Sequence, residues 1–448
     1  MGKNSKTYVC SGCGKSHSMW SGKCSGCGEW NTLEEQLRVS TDSIKASGRA
    51  ITVSNIADVV KKERYDRIKS GDEQLDTVLG GGFVQGSVVL LAGQPGIGKS
   101  TLLLQIAHLV AKGYKTLYIS GEESAHQVAS RSERLGQGGS KLMLASSTVT
   151  DDIAKTIAEE SFDLVVVDSI QTIAAQGISS AAGSPSQITN STQMLTQAAK
   201  SHNTTLVIVG HVTKEGSIAG PKLLEHSVDA VLQIEGDRYG GFKVLRSVKN
   251  RFGSTNEAAI YEMKSAGLVA VENPSAALLE ERQVTDGSVV LATMEGTRPL
   301  LVEIQALVNT TAYGYPKRAA SGFDGNRLNL LIAMLERRTK LSLADKDIYI
   351  NVVGGIAIKE PAADLAICMA IASASKGMQL KKNAVVFGEL GLSGEVRHVP
   401  HIEKRTAEAK KLGFEAAIGP VYRGEGKMNF LHSVKDVRSA LNDFLEKE

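Results

Sequence analysis

Short apolar runs alternate with longer amphipathic stretches along most of the chain, and the alternation predicts a layered architecture. Ser87-Val-Val-Leu-Leu-Ala92 is a continuous apolar run of strand length, and Thr101 to Ala111, rich in Leu, Ile and Ala, follows as a buried helix. Lys115 to Ser120, Asp163 to Asp168 and Thr204 to Gly210 repeat the strand signature, with a helix over Gln187 to Ser201. Strands and helices in alternation predict an α/β fold: a mostly parallel sheet with helices on both faces. Further along, Arg298 to Val308 and Ile348 to Val353 read as strands, and Asn326 to Arg337 and Asp364 to Ala374 as helices. The mixed, polar segment Glu34 to Val60 reads as a linker. The expected organisation is a small module over 1–33, a linker over 34–66, an α/β domain over 67–271 and an α+β domain over 272–448.

The 448 residues are too many for one typical domain, and a 42% hydrophobic content suffices for ordinary cores. The net charge of +3 excludes an extended polybasic protein and leaves room for local basic faces. No run of 18 apolar residues is present, so no membrane span is expected. The start, Met1-Gly-Lys-Asn-Ser-Lys6, lacks the apolar core of a secretory signal and carries Lys6 where a myristoylation site needs Ser or Thr. A cytoplasmic location follows as the expectation.

Candidate chemistry sharpens the α/β domain first. Gly93-Gln94-Pro95-Gly96-Ile97-Gly98-Lys99-Ser100 fits the phosphate-binding P-loop and stands between a predicted strand and a helix opening with Thr101, the context its mechanism demands. Glycines let backbone N–H groups curl around phosphate oxygens, Lys99 reaches the β- and γ-phosphates of ATP, and Ser100 holds Mg²⁺. Leu164-Val-Val-Val-Asp168 is an apolar strand ending in an acid, which sets Asp168 near the same Mg²⁺. Glu122, in Gly-Glu122-Glu123-Ser, is the expected general base for the attacking water; the competing reading is an acid near a helix N-terminus. His211 ends the next strand and either senses the γ-phosphate or caps a loop. Two loops on the ligand side of the sheet, Ala174 to Ser186 and Thr213 to Lys222, suit flexible DNA contact, with Lys214 and Lys222 on phosphates.

Four of the five cysteines lie near the start as Cys10-x-x-Cys13 and Cys24-x-x-Cys27, each in a Cys-Ser-Gly-Cys-Gly knuckle. The spacing reads as a structural zinc site with all four positions filled by protein. Trp20 and Trp30, the chain's two tryptophans, belong to the same module and are expected in its own small core rather than stacked on bases. Cys368, in an apolar helix, reads as a core residue.

Gly80-Gly-Gly-Phe-Val-Gln-Gly86, the P-loop, Gly-Glu-Glu-Ser124 and the Asp168 strand resemble the RecA-like ATPase core. Lys249-Asn-Arg-Phe-Gly253, after a strand Phe242 to Val248, resembles the distinctive motif of the bacterial RadA (Sms) family, whose domain order matches the whole chain. That resemblance implies a hexameric ring ATPase of DNA recombination and repair. Such a ring acts on single-stranded and branched DNA and drives branch migration with the RecA recombinase. It also implies that Lys249 and Arg251 reach the nucleotide of a neighbouring subunit. The last domain resembles the proteolytic domain of Lon. Ala362, in Glu360-Pro-Ala-Ala-Asp364, stands where Lon has its nucleophilic Ser, and Glu403 where it has Lys, with Lys404 adjacent. Without a nucleophile, no protease is expected. Lys317, Arg318, Arg327, Arg337, Arg338, Lys340, Lys381 and Lys382 are either a face for the DNA backbone or a scaffold surface.

Overall fold

The computed structural model describes residues 6–11, 13, 15–37, 67–136, 140–211, 223–236, 241–312, 314–424, 426 and 428–447. The chain divides into two compact units, Met1–Arg64 and Tyr65–Glu448.

In the first unit, β1 (Lys6–Cys10) pairs antiparallel with β2 (Ser16–His17) and β3 (Leu33–Leu37). β3 carries the module into the polar stretch read as linker, because strand pairing rests on backbone groups and tolerates polar side chains. The buried apolar set is Cys10, Cys24 and Leu33, with Tyr8 packed against it. Trp20 and Trp30 are not in it: they are 59% and 69% exposed. The core expectation for them fails because four thiolates on one metal cross-link a module this small, which removes the need for a large apolar centre.

The second unit begins its described part with the α/β half. Its strands are β4 (Val88–Gly93), β5 (Thr116–Ser120), β6 (Met143–Ser146), β7 (Leu164–Asp168), β8 (Thr205–His211), β9 (Ala230–Gly236), β10 (Phe242–Asn250), β11 (Ala258–Lys264) and β12 (Gly267–Ala270). They form one sheet in the order β12-β11-β10-β9-β4-β8-β7-β5-β6. From β9 to β6 the pairs are parallel, and β10, β11 and β12 add an antiparallel edge. β4 and β7 are buried along their whole lengths because both faces are covered. Val89 and Leu91 meet the helices α1 (Glu73–Leu79), α2 (Lys99–Val110) and α3 (Ala125–Arg134). Val88 and Leu90 face the opposite way, toward α4 (Thr150–Glu159) and α5 (Pro185–Ser201). β10 runs two residues further than its hydrophobic pattern predicts, so Lys249 is a strand residue paired with Val231.

The other half is α+β. β13 (Ser288–Glu295), β14 (Arg298–Thr310), β15 (Arg318–Ser321), β16 (Lys346–Val352), β17 (Ala384–Val386), β18 (Ala416–Gly419) and β19 (Leu431–Ser433) form a mixed sheet ordered β15-β16-β14-β13-β17-β18-β19. Around it lie α6 (Pro274–Leu279), α7 (Gly325–Thr339), α8 (Asp364–Lys376), α9 (Ile402–Lys411) and α10 (Val437–Phe444). α8 is almost wholly buried, Cys368 included. An ionic cluster ties the halves together. Arg246 of β10 meets Glu235 of β9 and Glu295 of β13, and Lys359 donates to Glu235 at 3.0 Å.

Candidate functional site

The P-loop follows β4. A Cβ on Gly93 would stand 2.8 Å from the Ile234 carbonyl oxygen of neighbouring β9, so only glycine fits there. Gly98 adopts φ +112° and leads into α2 without a side-chain cap, which leaves the first N–H groups of that helix for an anion. Lys99 is buried, and its Nζ donates to the Gly93 and Gln94 carbonyls, each at 2.9 Å. Burial pulls this ammonium down to about 8, against the opposing fields of Asp168 and Glu122. Ser100 and Thr101 follow in the first turn, half-buried.

Three more strand ends converge here. Asp168 closes β7, beside Ser120 of β5 in register, and accepts a hydrogen bond from Tyr118 Oη at 2.5 Å. Ser169 Oγ donates to Glu122 Oε1 at 2.7 Å, and His211 Nε2 lies 3.7 Å from the same oxygen. His211 is also the register partner of Gly93. Its Nδ1 is buried with no partner among the described residues. Burial and the Lys99 charge hold the imidazole below its ordinary value, so it is neutral at pH 7. Ser124 and Gln127 form the capping box of α3, and Glu123 pairs with Arg131 at 2.8 Å. The helix end is therefore served by other residues, and Glu122 turns toward Ser169 and His211.

Lys249 and Arg251 lie at the other end of the sheet. Lys249 Nζ donates to the Glu225 and Val228 carbonyls, the latter at 2.7 Å. Arg251 pairs with Asp229 at 3.1 Å; Asp229 also takes Lys200 at 3.0 Å and the N–H of Val88, the first residue of β4. Five residue rises separate Val88 from Gly93, about 17 Å of strand. The antiparallel course of β10 thus sets both cations far from their own chain's P-loop.

The loop from Ala174 is not loose as expected. The Gln187 amide bonds the Ala175, Ile178 and Ser180 carbonyls and the Ala175 N–H, which fastens the loop to α5. Lys214 and Lys222 lie outside the described residues. In the last domain, Ala362 is buried, Glu403 accepts from Tyr422 Oη at 2.8 Å and Lys404 donates to the Thr297 carbonyl at 3.2 Å. Arg327, counted with a basic face, instead clasps the buried Asp364 through Nε and Nη2.

The sulfurs of Cys10, Cys13, Cys24 and Cys27 lie within 4.8 Å of one another, with Cys10–Cys27 and Cys13–Cys24 both 3.6 Å apart. Tetrahedral zinc with ~2.3 Å bonds needs sulfurs about 3.8 Å apart, so the set fits the metal. Backbone N–H groups of Cys27 and Gly26 draw the Cys24 thiol down to about 5, the thiolate form that zinc binds.

Tyr118 and Ser169 escaped the sequence reading. Tyr118 carried a signal: a tyrosine inside an otherwise apolar buried strand needs a partner for its hydroxyl. Ser169 carried none, since its contact depends on two strand ends meeting.

Residues 57–217 match the family model of an AAA domain, residues 8–35 a rubredoxin metal binding domain and residues 323–422 the subunit ChlI of Mg-chelatase. The DNA repair protein RadA of Aquifex aeolicus is 47% identical over 94% of both chains. RadA of Bacillus subtilis is 47% identical over 95% of this chain and 94% of its own. Among solved structures, the RadB recombinase is 25% identical with a TM-score of 0.36, covering 46% of this chain and all of that one. A KaiC-like protein of Pyrococcus horikoshii is 21% identical with a TM-score of 0.39, covering 46% of this chain and 99% of that one. With an ATPase domain, a four-cysteine zinc ribbon and near full-length identity of this order, the chain belongs to the RadA family of DNA repair proteins.

Proposed function

We propose that the chain is an ATP-driven DNA motor of homologous recombination. It acts in the cytoplasm as a hexameric ring, binds single-stranded DNA and promotes branch migration of branched intermediates together with the RecA recombinase. Residues Gly93 to Thr101 bind the triphosphate, and Lys99 leaves the P-loop carbonyls for the β- and γ-phosphate oxygens. Ser100 and Asp168 hold Mg²⁺, which when bound neutralises charge on those oxygens. Glu122, oriented by Ser169, accepts the proton of the attacking water. Neutral His211 donates toward the γ-phosphate and links the nucleotide to the loop carrying Lys214 and Lys222, which hold DNA phosphates. The Lon-like half lacks a nucleophile at Ala362 and serves as scaffold rather than protease.

The observation that carries the ring is the pair of opposed sheet ends. Arg251 pairs with Asp229, which holds the N–H of Val88 about 17 Å of strand away from Gly93, and Lys249 Nζ bonds the Val228 carbonyl at the same end. As phosphate-stabilising cations they serve only a neighbouring subunit, which ties hydrolysis to subunit contact. Two measurements test this reading. ATP turnover is expected to rise with single-stranded DNA and not with casein; the reverse overturns the motor. Mixed rings of Lys99→Ala and Arg251→Ala subunits are expected to recover hydrolysis that neither variant has alone, and co-assembled rings without recovery overturn action in trans.

A further inference from the structure

The zinc module exposes apolar surface that its own fold does not use. Met19 is 78% exposed, and both indoles are largely in water beside a buried set of only Cys10, Cys24 and Leu33. Indoles carry a large apolar area, and two left uncovered in so small a module mark a contact surface.

Trp30 and Lys23 are held together. Lys23 and Trp30 oppose each other in an antiparallel bridge, and Lys23 Nζ stands 5.7 Å from the centre of the Trp30 ring. The Asn31 N–H donates to the Gly22 carbonyl at 2.9 Å. The Trp30 ring covers Gly22, lying 3.5 Å from where a Cβ would stand. Trp20 precedes Gly22 by two residues, so its Cα is within about 7 Å of that glycine. One exposed indole therefore lies on this strip of backbone with an ammonium over it, and the second exposed indole is carried by the backbone two residues before Gly22. Lys15, also exposed, lies against Gly26 of the second knuckle.

We propose that Trp20 and Trp30, with Lys23 between them in sequence, form a stacking platform for unpaired bases of single-stranded DNA. Aromatic faces beside ammonium groups match the two chemistries a single strand presents, flat apolar bases and anionic phosphates. Lys23 Nζ puts a cation beside the Trp30 aromatic surface, within reach of a strand laid on it. A purely apolar protein partner has no use for the lysines. The inference rests on the reading that the chain works on single-stranded DNA, and it assigns the zinc module a direct part in that binding.

The chain's two tryptophans both lie in this module, so indole emission of the full-length, zinc-loaded protein reads the module alone. Oligothymidylate is expected to quench that emission saturably, in the Trp20→Phe and Trp30→Phe variants alike. An abasic oligomer of equal length, with phosphates and no bases, is expected to leave it unchanged. By anisotropy of a labelled oligonucleotide, Trp20→Ala and Trp30→Ala are each expected to weaken binding about tenfold at unchanged zinc content, with Phe restoring most of it. ATP turnover measured in the same samples separates the two readings. DNA-stimulated turnover without quenching overturns the platform and leaves the motor standing. Equal quenching by the abasic oligomer overturns stacking. Quenching by purified RecA but not by oligothymidylate assigns the surface to a protein. Neither stimulation nor quenching removes both readings.

Discussion

Buried and half-buried carboxylates occur in both halves of the second unit, and they are held differently. Glu360 accepts from Arg405 through both oxygens, at 2.8 and 2.7 Å, and from Thr293 Oγ1 and the Met294 N–H. Asp364 accepts from Arg327 and the Leu390 N–H. Asp168, 7% exposed, has a single side-chain partner among the described residues, the Tyr118 hydroxyl. A carboxylate offers about four acceptor positions. Glu360 has filled its own with the fold, and Asp168 keeps most of its own for something that arrives. The Glu360-to-Asp364 turn of the Lon-like half is thus a brace, while the ATPase half leaves its acid incomplete where ligand chemistry belongs.

This contrast predicts opposite consequences for comparable changes. Asp168→Asn is expected to lower ATP turnover by about 10²–10³-fold with little loss of thermal stability, measured by steady-state hydrolysis and calorimetry. A stability loss rivalling the activity loss would make Asp168 another brace. Arg405→Ala empties a fully buried side-chain site and leaves the half-buried Glu360 without its main partner, and is expected to cost about 1–3 kcal/mol of unfolding free energy by denaturant titration. An unchanged midpoint would show that the Glu360 cluster carries no structural weight.

The pH responses sharpen the same distinction. Burial raises the Glu360 carboxyl, and Arg405 with its other donors outweighs burial, leaving it below the ordinary carboxylate range. Its contribution to stability is therefore present above the unfolded value of about 4.3 and lost as pH falls through the lowered folded value. Arg405→Ala should remove that part of the acid transition. Lys99 works the other way, on binding. Its ammonium, drawn down to about 8, favours the triphosphate only when charged. Nucleotide affinity is expected to be level below about pH 8 and to fall by up to about tenfold per unit above it, by fluorescent-nucleotide titration. Lys99→Arg, always protonated, should bind without that alkaline limb.

Much of this was legible in sequence because it is local. The strand before the P-loop, the helix after it, the acid ending Leu164-Val-Val-Val-Asp168 and the cysteine knuckles each sit within a dozen residues, and backbone stereochemistry sets their geometry. The burial of Cys368 in its apolar helix was readable for the same reason. The exposure of Trp20 and Trp30 was not, since an apolar residue carries no mark of which way it faces. Nor was the loss of Arg327 from a basic face, because its partner Asp364 lies far along the chain.

Short-range spacing sets the elements, the phosphate loop and the four-sulfur site. What those elements bring together follows from how they pack. Parallel pairing delivers Gly93, Ser120, Asp168 and His211 to one edge, and the reversal into β10 carries Lys249 and Arg251 to the other. Which residues share an end depends on strand order and direction, and these are set by long-range packing that no local pattern encodes.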